Sequence, residues 1–70
     1  MSVKSAIWIQ CHKSVLGAVY GEVVRQNGVI QRQTEGGELC SVLVRVPQAT
    51  RAALEQAVMK IHDSVLITPD

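Results

Sequence analysis

The stretch Val15-Leu-Gly-Ala-Val-Tyr-Gly-Glu-Val-Val-Arg-Gln-Asn-Gly-Val-Ile30 decides the fold, because it changes from a helical to an extended pattern within one short run. Its first part repeats apolar residues at helical spacing, at Leu16, Val19, Tyr20, Val23 and Val24. Asn27-Gly28 then predicts the helix end, with Gly28 in the left-handed conformation. The pattern therefore predicts a helix over 15–27 that is followed directly by a strand.

Two glycines, Gly17 and Gly21, lie four residues apart inside this predicted helix. Each costs roughly 1 kcal/mol relative to Ala in a helix interior. We expect them to let the helix approach a second helix that carries small residues of its own, at Ala52, Ala53 and Ala57. The alternative is that both glycines are merely tolerated.

Extended patterns on either side of this stretch supply the strands. Residues 5–11 place Ile7, Ile9 and Cys11 on one face and Ala6, Trp8 and Gln10 on the other. Residues 39–46 likewise place Cys40, Val42, Val44 and Val46 on one face and Leu39, Ser41, Leu43 and Arg45 on the other. The polar, weakly alternating run 29–35 suits an edge strand, and Glu35-Gly-Gly-Glu38 predicts a hairpin turn.

A second helix is predicted after Pro47, with Thr50 as its cap and helical spacing as far as Ile61. Residues 62–64 end it, and 65–68 form a last strand. Ser14 is the candidate cap of the first helix. The order β-α-β-β-α-β predicts a single ferredoxin-like α+β domain over residues 1–70. Its four-stranded antiparallel sheet would carry both helices on one face.

Composition limits the classes of function. Seven basic and six acidic residues give a net charge of +1, which provides no electrostatic case for non-specific nucleic-acid binding. No apolar run approaches the roughly 18 residues of a membrane span, and no secretion signal is visible. Cys11 and Cys40 are too few for a disulfide scaffold, so we expect free, buried thiols in the cytoplasm.

Candidate chemistry is sparse. The spacing of Cys11, His12, Cys40 and His62 is not that of a zinc site. Cys11, His12 and Asp63 could be drawn as nucleophile, base and orienting group, but the cysteine points inward and the histidine lies in a loop. We therefore expect no catalytic residue, no metal and no cofactor.

Four segments of the chain carry a resemblance to a known domain: Ile9-Gln-Cys11, the stretch 15–30, the Gly-Gly turn, and Val42-Leu-Val-Arg-Val-Pro47. Together they resemble the C-terminal domain of elongation factor G-type translation GTPases, and the similar C-terminal domain of the IMPACT family. The resemblance covers residues 7–47. It implies a ferredoxin-like fold and a ribosome-like partner.

The chain departs from the elongation factors at three points. Gln48-Ala-Thr50 and His62-Asp-Ser64 stand where those proteins have Phe-Gly and Thr-x-Gly segments. The chain also has no Gly-x-x-x-x-Gly-Lys-Ser/Thr phosphate loop, so it is not a GTPase by itself.

The predicted register places Trp8, Gln10, Leu43 and Arg45 on the sheet face that is turned away from the helices, called the open face below. Exposed apolar patches usually mark partners, whereas RNA-binding sheets present two or three aromatic residues. We therefore expect a non-catalytic module that docks on a protein or ribonucleoprotein and also self-associates through this face. RNA binding has weaker support.

The alternative is a small-molecule-binding regulatory module of the same fold, acting as a dimer. The hairpin glycines Gly36 and Gly37 and the loop 12–14 would then matter. A basic patch of Lys13, Arg25, Arg32 and Arg45 is a further candidate, although glutamates lie near these residues in the sequence.

Overall fold

The computed structural model describes residues 4–69, and residues 1–3 and 70 lie outside this range. The strands are β1 (Lys4–His12), β2 (Val29–Gly36), β3 (Leu39–Pro47) and β4 (Leu66–Pro69), and the helices are α1 (Leu16–Arg25) and α2 (Gln48–Met59). A short 3₁₀ turn, Lys13–Val15, joins β1 to α1. The sheet order is β2-β3-β1-β4, and every pair is antiparallel. This arrangement confirms the predicted ferredoxin-like α+β fold.

One face of the sheet and both helices form the core. The alternation predicted for the two central strands is confirmed, because every inward position is buried. The buried apolar residues are Ile7, Ile9, Cys11, Cys40, Val42, Val44 and Val46 of the sheet, Val19 and Val23 of α1, and Leu54 and Val58 of α2. Since both helices pack against the same set of strand residues, they lie on one side of the sheet.

The apolar stripe predicted for α1 is correct except at its end. Val19 and Val23 are fully buried, whereas Val24 is 69% exposed. A helix turns by about 100° per residue, so the residue after Val23 is carried away from the sheet. The prediction that Val24 belongs to the buried face was therefore wrong.

The end of α1 uses Asn27 in the left-handed conformation, with φ 61°, where the sequence had predicted Gly28. The Asn27 N–H donates to Val24 O at 3.1 Å, and the Gly28 N–H donates to Val23 O at 2.8 Å. This pair of bonds is the Schellman arrangement. An added Cβ on Gly28 would lie 2.8 Å from Val23 Cγ1 and 3.3 Å from Val44 Cγ1. Gly28 is thus required for close packing against Val23 and Val44, and not for its φ.

Gly17 and Gly21 do not mediate helix packing. Both are exposed, and a Cβ built on either would meet no atom within 4 Å. The expectation of a close helix contact was wrong, because these glycines lie on the side of α1 that faces away from the core. The alternative, that both are tolerated at an exposed position, fits the structure.

The predicted caps also differ from the observed ones. His12, not Ser14, precedes the 3₁₀ turn, and its Nδ1 accepts the Ser14 N–H at 3.2 Å. Thr50 lies inside α2, and its hydroxyl donates to Gln26 O at 3.0 Å. Thr50 therefore ties the start of α2 to the end of α1, a contact between elements that are distant in sequence.

Candidate functional site

The open face can be read from the strand register, since residues directly opposite each other in an antiparallel pair point to the same side of the sheet. The rows on this side include Arg32–Leu43–Trp8–Thr68, Thr34–Ser41–Gln10–Leu66, Val29–Arg45–Ala6 and Gly36–Leu39–His12. The four residues predicted as a binding set, Trp8, Gln10, Leu43 and Arg45, are therefore on one surface. Their binding role remains a prediction.

Trp8 and Leu43 lie at the centre of the open face, opposite each other on the two middle strands. Both are half-buried, as is Gln10, whereas Arg45 is exposed. A half-buried tryptophan flanked by aliphatic side chains offers a large apolar area to a partner.

Exposed aliphatic residues extend this centre outward. Val29 is 51%, Leu39 is 42% and Leu66 is 57% exposed. In the described range only two other large hydrophobic residues, Val24 and Met59, are exposed. Three of these five residues thus lie on the open face, where they surround Trp8 and Leu43.

The sequence did not identify Val29 as a residue of the open face, and the reason is a β-bulge. The β2–β3 register shifts between Ile30 and Arg32, so Val29 and Arg32 point to the same side although they are three residues apart. Simple alternation would have placed them on opposite faces. The weak alternation of this strand was the available signal, since a bulge interrupts the two-residue period.

The four candidate basic residues do not form one patch. Arg32 and Arg45 lie on the open face in neighbouring rows of β2 and β3. Arg25 belongs to α1 and pairs with Glu22 at 3.4 Å, and Lys13 lies in the 3₁₀ turn. Only the two open-face arginines therefore share a surface with Trp8.

The Cys11–His12 pair does not form a catalytic or metal-binding unit. Neighbouring residues of a strand point to opposite faces, so the Cys11 thiol lies in the core and the His12 ring on the other side. Because His12 Nδ1 accepts the Ser14 N–H, the ring proton is on Nε2, which lies 3.5 Å from Glu38. The histidine thus helps to anchor the hairpin turn.

The two thiols are buried and lie opposite each other on β1 and β3. Burial raises the pKa of Cys11 above its ordinary value, and the proximity of Cys40 raises this pKa further. A raised pKa lowers the thiolate fraction, so Cys11 lacks the activation that a nucleophilic cysteine requires.

The elements of the alternative hypothesis do meet at one end of the sheet. The Lys13 N–H donates to Glu38 O at 2.9 Å, which joins the loop 12–14 to the hairpin turn, where Gly37 has φ 68°. Residues 4–69 nevertheless form no pocket for a small molecule. Within the same range, no three His, Cys, Asp or Glu side chains cluster as metal ligands. Neither described helix has the length and apolarity needed to cross a bilayer.

Comparison with known proteins places the fold but not a family. No protein-family model matches the chain, and no curated protein matches it. Among solved structures, a hypothetical protein superposes with a TM-score of 0.86 at 15% identity, over 96% of this chain and 32% of that one. A Thermus thermophilus protein superposes with a TM-score of 0.74 at 17% identity, over 96% of this chain and 11% of that one.

A DUF3240 family protein from Shewanella baltica is similar over most of its length. Its TM-score is 0.65 at 17% identity, over 100% of this chain and 92% of that one. The chain spans about a third and about a tenth of the first two proteins, so the same fold occurs there as part of a longer chain. At these identities the similarity shows the fold alone.

Proposed function

We propose that this chain is a non-catalytic interaction module that docks on a partner through its open face. The observation that carries the proposal is the concentration of exposed aliphatic residues there: Val29, Leu39 and Leu66 surround the half-buried Trp8 and Leu43. Exposed apolar residues that are contiguous on one surface mark interaction sites more often than scattered ones do.

Trp8 and Leu43 form the apolar centre that a partner on the open face would cover. A tryptophan side chain buries about 150–250 Å² when it is fully covered, and the part of Trp8 that is still accessible, a minority of its surface, would contribute to binding. At about 25 cal/mol per Å², covering this remainder and the surrounding aliphatic side chains supplies a few kcal/mol before the costs of association. Trp8 therefore serves as the anchor, and the aliphatic residues exclude water around it.

The more specific setting that we propose is a ribosome-like ribonucleoprotein. Its support is the resemblance of residues 7–47 to the C-terminal domain of elongation factor G-type GTPases, together with the ferredoxin-like fold. Docking through protein contacts fits this surface better than base stacking, because no other tryptophan, tyrosine or phenylalanine accompanies Trp8 in the rows of the open face that the structure describes.

Co-sedimentation with purified ribosomal particles tests the proposal. We expect the wild-type chain to sediment with the particles, and Trp8→Ala and Leu43→Ala to lose most of this binding while circular dichroism shows an intact fold. Val24→Ala is the matched control, because Val24 is an exposed aliphatic residue on α1, on the helix side of the sheet. Binding that survives both Trp8→Ala and Leu43→Ala would contradict the proposal. A loss of binding in Val24→Ala would assign the contact to the helix side instead.

Light scattering on the same variants separates self-association from partner binding. A wild-type dimer that becomes a monomer in Trp8→Ala would show that a second copy covers the open face. A wild-type monomer that still binds the particles would assign this face to the partner.

A further inference from the structure

We infer that the open face selects a protein segment that carries carboxylates beside apolar side chains, and that it disfavours a second copy of itself. This inference rests on the proposed function, because it names the chemistry of the partner at the same surface. It is carried by the distribution of charge on the two faces of the sheet.

Among the side chains that the structure describes, the open face carries two arginines. Arg32 lies opposite Leu43, and Arg45 lies opposite Ala6 on one side and Val29 on the other. Both are exposed, and within residues 4–69 neither takes part in an ion pair. They flank Leu43 as two cations beside the apolar centre.

The carboxylates of the described range lie elsewhere. Glu22 pairs with Arg25 on α1 and Glu55 pairs with Arg51 on α2, both at 3.4 Å. Glu35 lies opposite the buried Cys40, on the helix side of β2. Glu38 lies in the hairpin turn at the edge of the open face, where it contacts His12 at 3.5 Å, and Asp63 lies in the turn after α2. No described carboxylate occupies a strand position on the open face, so Arg32 and Arg45 are not neutralised there.

A surface with an apolar centre and cations alone at its side is complementary to an apolar segment with carboxylates. Arginine forms two parallel hydrogen bonds to one carboxylate, which adds geometric selectivity to the charge attraction. Two copies of this surface pressed together would instead bring four arginines into one interface with no carboxylate from the described strands. Like charges in an interface disfavour that pairing.

Intrinsic fluorescence provides a direct test, because Trp8 is the only tryptophan of the chain. The probes are short synthetic peptides of equal length that alternate leucine with glutamate, with glutamine or with lysine, and a single-stranded uridine oligonucleotide. We expect the glutamate peptide to shift the Trp8 emission to shorter wavelength and to bind about tenfold tighter than the glutamine peptide. We expect added salt to reduce this preference.

Charge reversal provides the matched variants. Arg32→Glu with Arg45→Glu should switch the preference from the glutamate to the lysine peptide, since both side chains are exposed and the apolar centre is unchanged. Arg25→Glu, on α1, is the control and should leave the preference unaltered. Circular dichroism on each variant verifies the fold before any titration.

Each remaining outcome overturns the inference. Equal binding of the glutamate and glutamine peptides would remove the selection for carboxylates, while leaving docking through the open face intact. A response to the oligonucleotide alone would assign the surface to RNA, and a wild-type dimer that depends on Trp8 would assign it to a second copy. If no probe alters the Trp8 emission, the inference fails, and co-sedimentation with ribosomal particles still decides the proposed function separately.

Discussion

The two faces of the same sheet differ in how much of each side chain is buried. On the helix side, Ile7, Ile9, Val42 and Val44 are completely buried. On the open face, the residues that alternate with them include the half-buried Trp8 and Leu43 and the exposed Arg45. A single strand therefore contributes to the stability of the monomer through one set of side chains and presents the other set to its surroundings.

In this chain of 70 residues, the apolar side chains of one sheet face stabilise the fold, and those of the other face remain accessible to a partner. Domains of this size bury only about 60% of their unfolded surface, so every inward residue of the central strands matters for stability. On the open face, by contrast, Val29, Leu39 and Leu66 stay exposed in the monomer. Substitutions on the two faces should consequently have different effects, and the following predictions test this comparison.

The largest effect should come from Ile9→Ala on the helix side. Removing most of a fully buried side chain should lower the free energy of unfolding by about 2–5 kcal/mol, through lost burial and the cavity that remains. Leu43→Ala, on the open face, should cost less, because Leu43 is only partly buried. Urea unfolding of both variants measures the ratio, and equal losses would show that the open face is part of the monomer's core.

Gly28→Ala should lower the free energy of unfolding by about 1–3 kcal/mol, although it adds only one methyl group. Its Cβ would lie 2.8 Å from Val23 Cγ1 and 3.1 Å from Val23 O, so the end of α1 at Val23 and the chain at Gly28 would have to shift apart. Thermal denaturation monitored by circular dichroism measures this effect. An unchanged melting temperature would mean that the backbone relaxes freely at this position.

Gly21→Ala should have the opposite sign. A Cβ on Gly21 meets no atom within 4 Å, and Ala is favoured over Gly inside a helix by roughly 0.5–1 kcal/mol. We therefore expect a higher melting temperature, and Gly28→Ala serves as the control at the other end of the same helix. A lower melting temperature in Gly21→Ala would restore the idea that this glycine packs closely against a neighbour.

The smallest effect should appear at alkaline pH. Burial, and then Cys40, raise the pKa of Cys11, and burial, followed by nearby Cys40, Cys11 and Glu35, raises the pKa of Tyr20. The folded state therefore favours the protonated forms. Their contribution to stability is complete below the ordinary pKa values of 9.0 and 10.0, and it is lost as the pH rises through the raised values.

Urea unfolding at a pH of about 7 and of about 10 measures this alkaline loss. The loss should be smaller in Cys11→Val, which keeps an apolar side chain of similar size at the buried position and cannot ionise there. A loss of the same size in the variant would show that other groups cause it, Tyr20 first among them.

The fold could be predicted to a large extent because the decisive signals are local. The two-residue period of 5–11 and 39–46 and the helical period of the two helices are properties of consecutive residues. They predicted the buried faces of the central strands correctly, and that of α1 except at Val24. The positions of Trp8, Gln10, Leu43 and Arg45 on one surface followed from the same period, since a strand that buries one face must present the other.

Features that depend on contacts between distant segments could not be predicted in this way. The cap of α2 was misjudged because the Thr50 hydroxyl bonds to Gln26, which lies far away in sequence. Val29 was missed because the bulge in β2 shifts its register against β3. In both cases the local sequence allows more than one backbone conformation. The contact with the neighbouring segment determines which conformation forms.

The sequence by itself thus determined the order of the elements, the faces of the central strands and the apolar character of the open face. Periodicity is a property of consecutive residues and needs no knowledge of the neighbours. The tertiary structure alone decided which glycine is needed for close packing and that Arg32 joins Arg45 on the open face. Gly28 is confined by Val23 and Val44, whereas Gly17 and Gly21 face open space. Arg32 and Arg45 share a surface because the bulge turns Arg32 toward it, and such relations arise only when strands pair.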